Sequence, residues 1–186
     1  SNGKHTRQPA LLPFGVLTTP HANFFTDFIF DQIRDNLASG AIRYWGPISG
    51  APPKVVLPLQ VEPSKPRLIE DARFVNLWTR EISFSLSGVT DILSWISPSI
   101  PLWSVDEKSG YHHGSLTTNS SEYFGIQFAR HYFVYQVPVF GWRLSAYIHH
   151  SIGEALGSFL SQYYSIPSKI YIDDRLGGPG PSPNCS

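Results

Sequence analysis

Two short apolar runs in this chain each end on carboxylates, and that shared shape constrains the fold more than any other feature. Leu102-Trp103-Ser104-Val105-Asp106 ends on one aspartate; Lys169-Ile170-Tyr171-Ile172-Asp173-Asp174 ends on two. The separation is 173 − 106 = 67 residues, and a hairpin and a helix can be read between the runs. That strand–hairpin–helix–strand order makes an α+β fold if the three acids meet in one pocket. Successive strand residues point to opposite faces. Asp173 and Asp174 can therefore serve one site only if the chain turns between them. A tight hairpin is expected there, with Asp173 the surer ligand and Asp174 the second.

Carboxylates crowded together repel unless a cation sits among them. Phosphoryl and nucleotidyl transfer use such groups to hold two divalent ions about 3.5–4 Å apart, clamping the attacking and leaving oxygens. Mg²⁺ suits this role because it takes hard oxygen ligands, usually one or two carboxylates with water and phosphate. Alone, an Asp-Asp pair is common in chains of this size, so the neighbouring segments have to carry the reading.

With 186 residues, 41% hydrophobic, the chain can bury one core, with room for a small attached lobe. No apolar run approaches the roughly 18 residues of a membrane span, and no signal-peptide pattern opens the sequence. No membrane association is expected, and the place of action is intracellular, cytoplasm or nucleus. The single cysteine, Cys185, excludes an internal disulfide or a cysteine-based zinc site. Fourteen basic residues balance fourteen acidic ones, which argues mildly against a complete nucleic-acid-binding protein. The absence of methionine and the start at Ser1 suggest a piece of a longer reading frame.

Three regions are expected: a flexible segment over 1–18, a folded unit over 19–176, and a disordered Gly/Pro/Ser tail over 177–186. Thr19-Pro20 opens a helix running to about residue 38, with Phe25, Phe28, Ile29, Ile33 and Leu37 at helical spacing and Gly40 as the stop. Residues 43–53 read as a loop. Strands over 54–61 and 67–76 flank the turn Glu62-Pro63-Ser64-Lys65-Pro66, so Lys65, Arg67 and Arg73 share one basic hairpin. A planar guanidinium fork suits a triphosphate; a solvated edge strand would look the same. A helix is expected over 88–96. Tyr123–Phe128 and Tyr132–Val137 read as a hairpin. Ser145 then caps a helix to about Tyr163, with Ile148, Ile152, Leu156 and Leu160 four apart. His112-His113 and His149-His150 lack a third ligand at zinc spacing and read as structural or solvent-facing.

These pieces together resemble the reverse transcriptase domain of retroelements, nearest to invertebrate retrotransposons of the tyrosine-recombinase (DIRS-like) kind. Lys65-Pro66-Arg67-Leu68-Ile69-Glu70-Asp71-Ala72-Arg73-Phe74-Val75-Asn76 resembles the fingers motif. Ser104-Val105-Asp106-Glu107-Lys108-Ser109-Gly110-Tyr111-His112-His113 looks like motif A, Val137 to Ala146 like motif B, and Tyr171-Ile172-Asp173-Asp174 like the YxDD box. The resemblance spans roughly residues 30–176 and implies polymerase fingers plus a partial palm: a ferredoxin-like βαβ-type sheet with helices on one face.

The resemblance also implies roles. Asp106, Asp173 and Asp174 would be the catalytic ligands of two Mg²⁺ ions, with Mn²⁺ as a substitute and the Glu107 backbone as a further ligand. Lys65 and Arg67 would meet the triphosphate of a dNTP, Tyr111 would exclude a ribose 2′-OH, and Phe140 and Gly141 would lie against the nascent base pair. The partners would be an RNA or DNA template with its primer. The activity would be RNA-directed DNA synthesis. An inert, truncated or host-retained fragment acting only as a binding module is the alternative; an RNA-templated RNA polymerase and a hydrolase are further ones. Two departures stand out. The Glu107 side chain has no evident role, and the Gly/Pro-rich sequence after Asp174 replaces the expected hairpin, which would leave the two aspartates without a partner strand.

Overall fold

The structure, a computed structural model, describes residues 22–86, 88, 90–92, 101–107 and 110–178. The apolar positions of α1 (Ala22–Ala38) recur at helical spacing, and two of them, Ile29 and Ile33, are buried. Gly40 follows with φ +76°, a conformation that costs glycine little. The expected start at Thr19-Pro20 lies outside the described residues, as do the segments 1–18 and 179–186.

The expected loop after α1 is instead a strand, β1 (Ile42–Pro47). Its β-favouring Ile42-Arg43-Tyr44-Trp45 outweighs the Gly and Pro that follow, and a register shift between Tyr44 and Gly46 leaves Trp45 without an opposite residue. A short helix, α3 (Thr118–Ser121), is capped by the Thr117 side chain, which accepts the Ser120 N–H. The expected hairpin then forms as β5 (Gly125–Phe128) and β6 (His131–Tyr135). Ala129 and Arg130 both take positive φ at its turn, which matches a two-residue loop to the strand twist. The antiparallel sheet runs β1-β6-β5. The main core joins Ile29 and Ile33 of α1 to Ile42, Ile126, Phe133 and Val139.

The basic hairpin is a separate two-stranded sheet, β2 (Leu59–Glu62) against β3 (Arg67–Glu70). Both of its strands are shorter than the sequence suggests. Pro58 has no N–H for a ladder, and Val56 keeps only one bridge, to Gly125. At the other end Asp71 accepts the Arg73 N–H at 3.1 Å, turning the chain into α2 (Arg73–Trp78) where a strand is expected. Most of the helix expected over 88–96 lies outside the described residues.

The third sheet has the order β4-β8-β7, from β4 (Trp103–Asp106), β7 (Ser168–Tyr171) and β8 (Asp174–Gly177). β8 is the return strand whose absence the sequence implies. It completes four pairs with β7, the last of them Gly177 with Ser168, so the first glycine of the tail expected over 177–186 belongs to the strand. β4 and β7 are each antiparallel to β8 and therefore parallel to each other. α4 (Arg143–Tyr164) connects them in sequence and packs on β7, so the α+β expectation holds, with a strand inserted into a βαβ unit.

α4 meets this sheet through an unexpected face. Ser145, His149, Gly153 and Gly157 are buried at i, i+4, i+8 and i+12, whereas Ile152 and Leu156 are 41% and 43% exposed. A Cβ at Gly153 would lie 2.3 Å from Ile170 Cδ1, so only a small residue lets helix and strand close. Ser145 is not the cap. It is buried inside the first turn and donates its hydroxyl to the Val139 carbonyl at 2.6 Å, and Trp142 holds the cap position.

Candidate active site

Strand register brings two of the acids together. Asp106 stands directly opposite Asp174, and Asp174 opposite Tyr171. Opposite residues project from the same face, with Cβ atoms about 4.5–5.5 Å apart. This row lies on the sheet face away from the buried Ile170 and Arg175, and all three of its members are exposed. Asp173 sits at the turn beside it, and its carbonyl accepts the Glu107 N–H at 2.7 Å. The expected chain reversal therefore occurs, one position early, with Ile172 and Asp173 at its centre. Ile172 has φ +55°, a left-handed conformation that β-branched residues rarely adopt and that persists only where surrounding contacts over-determine it.

Those contacts come from side chains to which the sequence pattern gives no function. His149, 3% exposed, projects from α4 with Nε2 2.9 Å from the Ile172 carbonyl, 3.7 Å from Asp173 Oδ1 and 3.8 Å from Glu107 Oε2. Arg175 is buried on the opposite face of β8 from Asp174. It donates to Glu107 Oε1 at 3.2 Å, to the Gly153 carbonyl at 2.9 Å and to Ser168 Oγ at 3.3 Å. The Glu107 side chain therefore holds the buried guanidinium, which gives that acid its role.

Tyr111 lies in the 3-10 turn Gly110–His113. Its ring meets His149 edge-on, with centroids 5.6 Å apart, and lies 6.0 Å from the Phe140 ring. Burial, then the nearby Asp173 charge, raise its phenol above the ordinary pKa. Gly141, at φ +87°, offers its carbonyl to the Asn76 side-chain N–H at 2.9 Å, while Asn76 Oδ1 accepts the Arg143 N–H at 2.8 Å. Asn76 therefore ties α2, which follows the basic hairpin, to the start of α4. Lys65 and Arg67 are exposed on that hairpin and form no ion pair among the described residues. The structure does not bring them into contact with the carboxylates.

His112 and His113 are exposed, and among the described residues no three acidic, histidine or cysteine groups form a cage for an ion. The donors present still fit Mg²⁺ in type: Asp106 and Asp174 offer hard oxygens on one open face, with Asp173 beside them. Phosphate and water normally complete such a shell.

Two of the central residues, His149 and Arg175, are not legible from sequence as site residues. One signal for Arg175 is available: Glu107 is an acid without an evident role, and a basic residue directly after Asp174 falls within its reach once β4 pairs with β8.

Together the β4-β8-β7 sheet, the helix beneath it and the acid-bearing turn define a reverse-transcriptase-like fold of the polymerase kind. No protein-family model matches the chain, and no curated protein matches it. Among solved structures it is similar to the foamy viral protease–reverse transcriptase dRH, solved in complex with double-stranded DNA. The TM-score is 0.61 at 18% identity, over 80% of this chain and 25% of that one. The likeness shows the fold, and this chain spans about a quarter of the solved chain's length. Among the described residues no helix is long and apolar enough to cross a membrane.

Proposed function

We propose that the chain carries the fingers and partial palm of an RNA-directed DNA polymerase, acting on a dNTP and a primer annealed to an RNA or DNA template. The observation that carries this reading is the pairing of Asp106 with Asp174 on one open sheet face, with the Asp173 turn clamped beside it. Two divalent ions bound there, Mg²⁺ or Mn²⁺, would neutralise phosphate charge and align the attacking and leaving oxygens. Asp106, Asp173 and Asp174 supply the oxygen donors. The Tyr111 ring, fixed by His149 and Phe140, is the group that meets the sugar. Phe140, 64% exposed, and Gly141 offer a surface for the nascent base pair. Lys65 and Arg67, on their exposed hairpin, would reach the triphosphate by a hairpin movement.

Primer extension with Mg²⁺ or Mn²⁺ tests the reading. Incorporation of dNMP by the wild type that disappears in Asp106→Asn supports it. No incorporation, or incorporation indifferent to Asp106→Asn, refutes it and leaves the inert binding fragment.

A further inference from the structure

We propose that His149 is a positioning residue whose Nε2–H holds the Ile172–Asp173 turn and thereby fixes where Asp173 presents its carboxylate. The proposal rests on the polymerase reading for its functional meaning, and on geometry for its substance. The α4 face against the sheet is Ser145, His149, Gly153 and Gly157. Three small residues let the helix approach, and one large polar ring is retained among them. The chain makes room for that ring at Gly110, where a Cβ would lie 2.4 Å from His149 Cε1. An apolar ring would pack there as well, so space alone does not explain an imidazole.

Its neighbours do. The atoms around Nε2 are the Ile172 carbonyl at 2.9 Å, Asp173 Oδ1 at 3.7 Å and Glu107 Oε2 at 3.8 Å. All three are acceptors, so Nε2 carries the proton, and in a neutral imidazole that fixes the tautomer. The acceptor at hydrogen-bond distance belongs to Ile172, whose φ of +55° needs external support. The Glu107 N–H to the Asp173 carbonyl is the second clamp, and Arg175 steadies Glu107 in turn. Asp173 therefore stands at the end of a strained turn held from two sides, one of them His149.

The test compares the wild type, His149→Gln and His149→Phe in the full chain. Glutamine places an amide N–H close to the imidazole Nε2 position; phenylalanine keeps the ring and loses the donor. Long-range ¹H–¹⁵N spectra of the wild type are expected to show the His149 proton on Nε2. Amide exchange at Glu107 and Asp174 is expected to rise roughly tenfold in His149→Phe, the effect of one lost hydrogen bond, with β5 and β6 unchanged. His149→Gln is expected to restore protection. A proton on Nδ1, unchanged exchange in His149→Phe, or equal loss of protection in both variants overturns the proposal. If His149→Phe does not fold, the wild-type tautomer decides. In primer extension, His149→Phe is expected to need more Mg²⁺ for half-maximal rate than His149→Gln. A wild type that incorporates nothing refutes the polymerase reading, while the tautomer and exchange results still judge His149.

Discussion

Replacing Arg175 with methionine tests whether a buried ion pair supports the acid row. The guanidinium is 5% exposed and the Glu107 side chain 16%. The substitution removes the charge that answers Glu107 and also leaves the Gly153 carbonyl without its donor. Breaking a buried pair from one side costs ~3–5 kcal/mol; Glu107 retains some water contact, so about 3 kcal/mol is expected. With a urea m-value of roughly 2 kcal/mol/M, the midpoint should fall by about 1.5 M at unchanged slope. The double variant Glu107→Gln/Arg175→Met removes both charges. It should be more stable than the two single effects summed by about 1–2 kcal/mol, because neither charge is left stranded. Urea titrations of the four proteins followed by tryptophan fluorescence measure both quantities. A midpoint shift in R175M below about 0.3 M, or strictly additive effects in the double variant, refutes the reasoning.

Glu70 is buried and bonded by the Tyr135 hydroxyl, and burial raises its carboxyl above the ordinary range. Its protonated form therefore favours the folded state. That contribution is complete below the usual carboxylate pKa and is lost as pH rises through the raised one. Glu70→Gln should accordingly gain on the wild type in melting temperature as pH rises from acid toward neutral; parallel curves would refute this. Gly153→Ala should destabilise by ~1–3 kcal/mol through overpacking against Ile170, read as a lower urea midpoint with α4 still helical by circular dichroism. Tyr111→Ala should raise the use of ribonucleotides relative to deoxyribonucleotides roughly tenfold or more in primer extension, since a pocket wall is removed; unchanged selectivity would remove Tyr111 from that role.

The parts of the fold that read well from sequence are those where local pattern and tertiary contact agree. The β5–β6 hairpin has dense aromatic and β-branched strands, the Asp106 run forms where expected, and the acid-bearing turn forms one position early. α1 keeps its spacing because Ile29 and Ile33 are core residues. β1 escapes the pattern because Gly46 and Pro47 read as breakers, while pairing with β6 is non-local and needs only one bulge. α4 is visible for a misleading reason. Ile152 and Leu156 supply the period, yet the contact face is the small-residue row one position further along. That face is invisible to hydrophobic periodicity, because glycine and serine carry no apolar signal; its reason is the bulk of Ile170 across the interface. Asp106 and Asp174 are legible as neighbours because strand register pairs them, and Asp173 lies in the turn directly before Asp174. His149 and Arg175 are not, because their roles depend on which helix face turns inward and on β8 existing at all.

The placement of Glu107 explains how the fold tolerates a buried arginine next to the acid-bearing turn. Arg175 follows Asp174 and projects from the other face of β8. An uncompensated guanidinium there would be a buried charge without a partner, which costs on the order of several kcal/mol. Glu107 takes up that charge from the adjacent strand, while the Gly153 carbonyl and Ser168 satisfy the remaining donors. Among the described residues Arg175 is the one buried lysine or arginine, and Glu107 is the carboxylate it meets. Asp106 and Asp174 are left exposed on the open sheet face, held by strand pairing, and Asp173 stands at the turn that the two clamps hold.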